Sequence, residues 1–213
     1  MHNLAAIYRK GVDGVPKDHS KMLSLYAKMV QLKVPLGYYD WAVAVERGQV
    51  PDANKGDAAS FMQRAAELGS PLAQVRIGRY YSYDLPRGQQ RDDLAEKYFR
   101  CAGKQEDAQA LIEVAMFFDV AKENKPLALF YYQKAASLGN RKAMTNLELA
   151  FEEGDSEKFG YKPDPMLNKL YHDMYYQLRK NPDLKFPNLM KEHPLPRHPT
   201  QGYDADNPEV RPK

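Results

Sequence analysis

Apolar residues recur along this chain at helical spacing, in blocks that return about every 35 residues. The clearest block is Ala65-Ala66-Glu67-Leu68-Gly69-Ser70-Pro71-Leu72-Ala73. It returns as Ala135-Ala136-Ser137-Leu138-Gly139-Asn140-Arg141-Lys142-Ala143, with a weaker copy, Cys101-Ala102-Gly103-Lys104-Gln105-Glu106-Asp107-Ala108, between them. Each copy follows one logic. A small pair ends a helix, Gly or a polar turn stops it, and an Ala opens the next helix where two backbones come close. Such a period is the signature of stacked helix pairs. The pattern predicts an all-α solenoid of about five antiparallel helix pairs over residues 1–180, followed by an extended Pro-rich segment over 181–213.

Unit one is read as helices near Asn3–Lys10 and Ser20–Lys33, with Asp18 or Ser20 as the cap between them. Unit two starts at Pro35, carries Gly37, Trp41, Ala42 and Val45 on its first helix, and opens its second at a capping Asp57. Unit three places Ala73, Ile77, Gly78 and Tyr81 on one helix and Ala95, Tyr98, Phe99 and Ala102 on the next. Unit four repeats this with Ala108, Ile112, Met116 and Phe117, a clipped loop near Ala121–Lys125, then Ala128, Tyr131, Tyr132, Ala135 and Ala136. Unit five runs from Ala143 to about Lys180, with Asp164-Pro165 as cap and first turn of the last helix. One large apolar residue falls at the same place in every unit: Leu4, Trp41, Ile77, Ile112 and Leu147.

The pattern stops after Asn181. Seven prolines from Pro182 to Pro212 argue against helix and for extended chain. Leu184, Phe186, Leu189, Met190, Leu195 and Tyr203 are nevertheless apolar, so at least Asp183–Pro199 is expected to lie against the last units as a cap. The chain of 213 residues has 15 tyrosines, suited to rings that pack at one end and reach water or a partner at the other. A net charge of +3 is too small to argue for nucleic acid. No apolar run is long enough to span a membrane. One cysteine, Cys101, excludes an internal disulfide and is read as a structural thiol beside a core alanine. Aligned units put the small residue of the first helix one place before Met1. The expectation is therefore an engineered start, inside a repeat unit, from which a leader has been removed.

The units resemble the Sel1-like repeat family. Ala73, Ile77, Gly78 and Tyr81 match its first block; Gly11, Val12, Gly14, Val15 and Asp18 resemble its second; Ala128, Tyr131, Tyr132, Lys134, Ala135, Ala136 and Gly139 match its third. Glu113 and Glu148 depart from it by standing where the family has Gly, and the unit-four loop is short. The resemblance implies a right-handed superhelical solenoid of antiparallel helix pairs, and scaffolds and adaptors, not enzymes. With the tail, Glu192-His193-Pro194-Leu195-Pro196 included, the layout resembles bacterial immunity proteins that silence type VI secretion effectors, several of them phospholipases of the D class.

Nothing in the residues asks for catalysis. Nucleophile elbow, phosphate loop, dinucleotide fingerprint and His-Glu-x-x-His pair are all missing from the sequence. No His or Cys spacing suits zinc, and His193 and His198, each before Pro, read as solvent or docking contacts. The acid pairs Asp92-Asp93, Glu106-Asp107 and Glu152-Glu153 read as helix-end or solvated charges. No cofactor or metal is expected. In helix-pair solenoids the first helix of each unit lines the concave face. That face is expected to present Tyr38, Asp40, Arg76, Arg79, Tyr80, Gln109, Glu113 and Asn146, a mixture with the Tyr and Arg typical of binding anchors. The resemblance then implies a non-enzymatic immunity protein that blocks a toxin sterically, a phospholipase by the same likeness, and meets it in the periplasm. A cell-envelope adaptor, or a cytoplasmic location, stays open.

Overall fold

The computed structural model describes residues 1–12 and 14–199. Regular structure among them is helical, apart from an isolated bridge between Val12 and Val15 in the first connector. The chain divides into two compact units, Met1–Tyr98 and Phe99–Lys213.

The first unit holds α1 (His2–Lys10), α2 (His19–Gln31), α3 (Pro35–Glu46), α4 (Asp57–Glu67), α5 (Pro71–Arg79) and the start of α6 (Asp92–Gly103). Each of α1 to α4 packs on its successor. Local signals start these helices. Asp18 Oδ1 accepts a hydrogen bond from Lys21 N at 2.9 Å, and Ser70 Oγ accepts one from Ala73 N at 3.4 Å. Pro35 and Pro71 occupy first-turn positions, where a missing N–H costs nothing. Asp57 does not cap α4 as expected; Gly56 takes that place and Asp57 is the first helical residue, where its charge still favours the helix dipole.

Small residues set the spacing of this unit. Ala42, Ala65, Ala66 and Ala73 are buried around Met62, and Ala5 and Ala44 are buried with Met22 and Tyr26. Gly37 is where α3 meets α2 most closely: a Cβ there would overlap Met29 Cβ and press on the Met29 and Val30 backbone. The column of large residues is only partly interior here. Leu4 is 44% exposed, because Ala5, one position on, takes the inward face of α1.

The second unit holds the rest of α6, then α7 (Ala108–Met116), α8 (Lys125–Ser137), α9 (Arg141–Phe151), α10 (Pro165–Lys180) and α11 (Leu189–Glu192). α7 packs on α8, α8 on α9, α9 on α10 and α11 on α8. Asp107, Asn124 and Asn140 cap α7, α8 and α9 by accepting from the backbone N–H three residues on. Asp164 Oδ1 accepts from both Met166 N and Leu167 N at 3.0 Å, so Asp164-Pro165 is the start of α10. Aromatic rings join buried alanines such as Ala128, Ala135 and Ala136 in this core. Phe99 stacks on Phe117 at 4.3 Å, Phe117 meets Phe118 edge-on at 5.2 Å, and Phe118 stacks on Tyr131 at 5.6 Å. Ile112 and Leu147 are fully interior.

Two helices do not end where periodicity places them. α5 and α7 each run into a five-residue π-helical turn, Tyr80–Asp84 and Phe117–Ala121. The wider turn shifts the register of the residues beyond it. Ser82 is consequently buried, its Oγ donating to Asp92 Oδ1 at 2.9 Å, while Tyr83 and Asp84 face water. Met116, read as interior, is 45% exposed beside the second of these turns.

After α10 the chain folds back. Phe186 N donates to Ser137 O at 2.7 Å, and Leu189, Leu195 and His198 are buried. Helix was not expected in this Pro-rich stretch, yet α11 forms in the Pro-free window between Pro187 and Pro194. Residues 200–213, with Tyr203, Pro208 and Pro212, lie outside the described residues.

Candidate partner-binding surface

In the first unit, α3, α4, α5 and the π turn enclose a groove of about 300 Å³. Met62 and Ile77 form its apolar floor, Tyr80 and Tyr81 one wall, and Glu46, Arg76 and Asp84 its charged rim. Arg76 Nη2 donates to Glu46 Oε2 at 3.1 Å, tying α5 to α3. Tyr80 is 50% exposed and sits edge-on to Tyr81 at 5.5 Å, and Tyr81 stacks on Tyr98 at 6.0 Å. Arg79, on the same helix, is exposed and takes part in a contact of its own.

Two residues expected on this face turn inward. Asp40 is 7% exposed, and His2 Nδ1 donates to its Oδ2 at 2.7 Å. Burial pushes the Asp40 carboxyl above the usual range, and the His2 bond pulls against that shift. Tyr38 is half-buried against the Ala42–Met62 cluster, 6.3 Å from the Phe61 ring. Both belong to the packing of α3 rather than to open surface. Of the expected residues in this unit, Arg76, Arg79 and Tyr80 are the exposed ones, and only Arg76 and Tyr80 line the groove. Periodicity missed Glu46, Tyr83 and Asp84. Glu46 ends α3, and the other two are outward only because of the π turn.

In the second unit Gln109 is exposed at the start of α7, Glu113 is half-buried, and Asn146 Nδ2 donates to Lys142 O at 2.9 Å one turn back on α9. A separate, open cleft of about 750 Å³ lies between the second π turn, the turn Ser156–Phe159 and His198. Lys125 Nζ pairs with Asp119 Oδ1 at 2.6 Å across its wall. His198 is buried here, its Nε2–H donating to Phe159 O at 3.0 Å and its ring edge-on to Tyr161 at 4.9 Å. Desolvation lowers the His198 pKa, and the bond to Phe159 O works against that. Gly160, at φ 72°, gives the imidazole room, since a Cβ there would collide with it. Of the solvent and docking contacts expected of the tail histidines, docking is what His198 makes, and His193 contributes its backbone carbonyl to Gln133.

Asp92, Asp93 and Asp107, from two of the acid pairs, take part in ordinary helix-end chemistry. Asp107 caps α7, and Asp92 accepts from Ser82. Arg91 donates twice to Asp93, at 2.9 Å each, which holds that carboxyl down at about 2. His172 Nδ1 donates to Glu148 Oε1 at 2.8 Å, so Glu148 ties α9 to α10 where the repeat pattern has Gly. Cys101 is exposed, not the buried thiol expected, because the inward position on that turn belongs to Ala102. No group of three or more His, Cys, Asp or Glu among the described residues is placed to hold a metal ion. No helix among them is long and apolar enough to cross a membrane.

Consecutive helices packed pair upon pair define a protein of the helical-repeat class. The Sel1 repeat profile matches residues 1–32, 35–70, 71–107 and 108–140, and the chain belongs to that family. The match ends before the α9–α10 pair, which packs like the others. Among solved structures, immunity protein PA5088 from Pseudomonas aeruginosa is 44% identical with a TM-score of 0.76, over 98% of this chain and 78% of that one. Immunity protein Pa5087 from the same organism is 39% identical with a TM-score of 0.75, over 98% and 79%. A Sel1 repeat protein from Oxalobacter formigenes, at 24% identity and a TM-score of 0.63 over 83% and 71%, shares the fold.

Proposed function

We propose that this chain is an immunity protein that binds and neutralises a cognate antibacterial effector. The observation that carries this reading is its likeness, over nearly its whole length, to the immunity protein PA5088. The effector is a toxin delivered by type VI secretion and acting as a phospholipase, and the two meet in the periplasm. The type VI, phospholipase and periplasm elements come from the resemblance of this repeat-and-tail arrangement to bacterial immunity proteins, not from any residue of the chain. Neutralisation is steric and needs no turnover: the repeat surface covers the toxin's active site or substrate entry. Affinity comes from a few aromatic and Arg anchors, Tyr80, Arg76 and Arg79 first, with charge pairs mainly steering association.

The experiment is a double charge reversal, Arg76→Glu with Arg79→Glu, assayed by calorimetry against the effector encoded beside this chain's gene. Loss of at least about tenfold in affinity with an unchanged fold is the expected result. Unchanged affinity rejects this surface. Several weak partners in place of one stoichiometric effector would instead favour an adaptor.

A further inference from the structure

We infer that the groove beneath Tyr80 is a receptor for an arginine side chain presented by the partner protein. The inference rests on the reading that the repeat surface binds a protein, and it names what that protein must offer. The floor of Met62 and Ile77 suits the aliphatic stem of a long side chain. Two aromatic rings line the groove: Tyr80 packs edge-on to Tyr81, and Tyr81 stacks on Tyr98, so little ordering is needed on binding. A cation over a ring face is attracted by the ring quadrupole.

The rim decides the sign of the ligand. Glu46, Asp84 and Arg76 are its charged members. Glu46 already offsets Arg76, by the 3.1 Å contact. Asp84 is exposed at the end of the π turn, and no described residue pairs with its carboxylate. An acidic ligand would meet Asp84 and Glu46 with like charge. An apolar ligand would desolvate Asp84 without a partner, which is unfavourable. A basic side chain gives Asp84 a partner and meets no like charge at Glu46. Arginine fits better than lysine because its planar, weakly hydrated guanidinium stacks on a ring while donating to a carboxylate at its edge.

The test is a titration of the full chain, followed by two-dimensional amide NMR, with four blocked amino acids: N-acetyl methylamides of arginine, citrulline, lysine and glutamate. Citrulline keeps the shape of arginine without the charge. The expected result is saturable shifts at Ile77, Tyr80 and Tyr81 with arginine, citrulline weaker by about threefold or more, and a further loss of about threefold in Asp84→Asn. Asp84 is solvent-exposed, so this variant should fold; Tyr80→Leu is a second variant that removes the ring face. Absence of shifts, citrulline binding as well as arginine, or glutamate as the strongest ligand each overturns the inference. Binding of the effector to Asp84→Asn and Tyr80→Leu separates the two claims. Undiminished binding there overturns the arginine receptor and leaves the immunity reading standing. A chain that binds the arginine probe but no effector has lost the immunity reading and kept the receptor.

Discussion

Gln133 Nε2 donates to the carbonyl oxygen of His193 at 2.7 Å. The same nitrogen donates to the Tyr171 hydroxyl at 2.9 Å, and Gln133 is 2% exposed. One buried amide on α8 thus holds both α10 and the returning tail. Gln133→Leu leaves a carbonyl and a phenol without their donor. It is expected to cost about 1–3 kcal/mol, read as a lower midpoint in chemical unfolding, and to raise proteolysis within residues 183–199.

Gly37→Ala is expected to destabilise the first unit, because the added methyl would overlap Met29 where α2 and α3 touch. Overpacking of that kind costs roughly 1–3 kcal/mol. Gly14→Ala has no such neighbour within 4 Å but sits at φ 80°, so its cost should come from the backbone alone. Thermal melts of the two variants compare close approach with backbone strain directly.

Asp164→Ala removes the acceptor for two backbone N–H groups at the start of α10. A loss of about 1 kcal/mol is expected, with Asp164→Asn or Ser recovering most of it. Circular dichroism during thermal unfolding checks both.

Acid should weaken the docking of His198. Its folded pKa lies below the ordinary value of 6.5 because the ring is desolvated. Between those two values the unfolded chain holds the extra proton, so this contribution is intact above 6.5 and is lost as pH falls toward the folded value. Melting temperatures at about pH 7.5 and about pH 5.5, on either side of the ordinary histidine value, should differ more for the natural chain than for His198→Gln. An equal difference would show that His198 does not titrate on unfolding.

The repeat boundaries were legible because small pairs, capping residues and Gly or Pro stops coincide at each helix end, as at Ala135-Ala136 and Asn140. The outward residues were harder to read. Periodicity assumes a uniform α-helix, and α5 leaves that geometry at Tyr80, which brought Tyr83 and Asp84 to the surface without a sequence signal. Asp40 was misplaced for another reason: its partner, His2, lies 38 residues away, and no local pattern reports such a pairing. Met116 and Cys101 show that a side chain's type is a weak guide on a helix whose neighbouring position is already inward.

Silencing of one effector by direct binding is tested by purifying the chain with the products of its neighbouring genes and assaying the captured partner for phospholipase activity with and without the chain. One stoichiometric partner is expected, whose activity disappears on binding and returns with the Arg76→Glu, Arg79→Glu chain. A stoichiometric partner that stays fully active while bound, or no such partner at all, would contradict it.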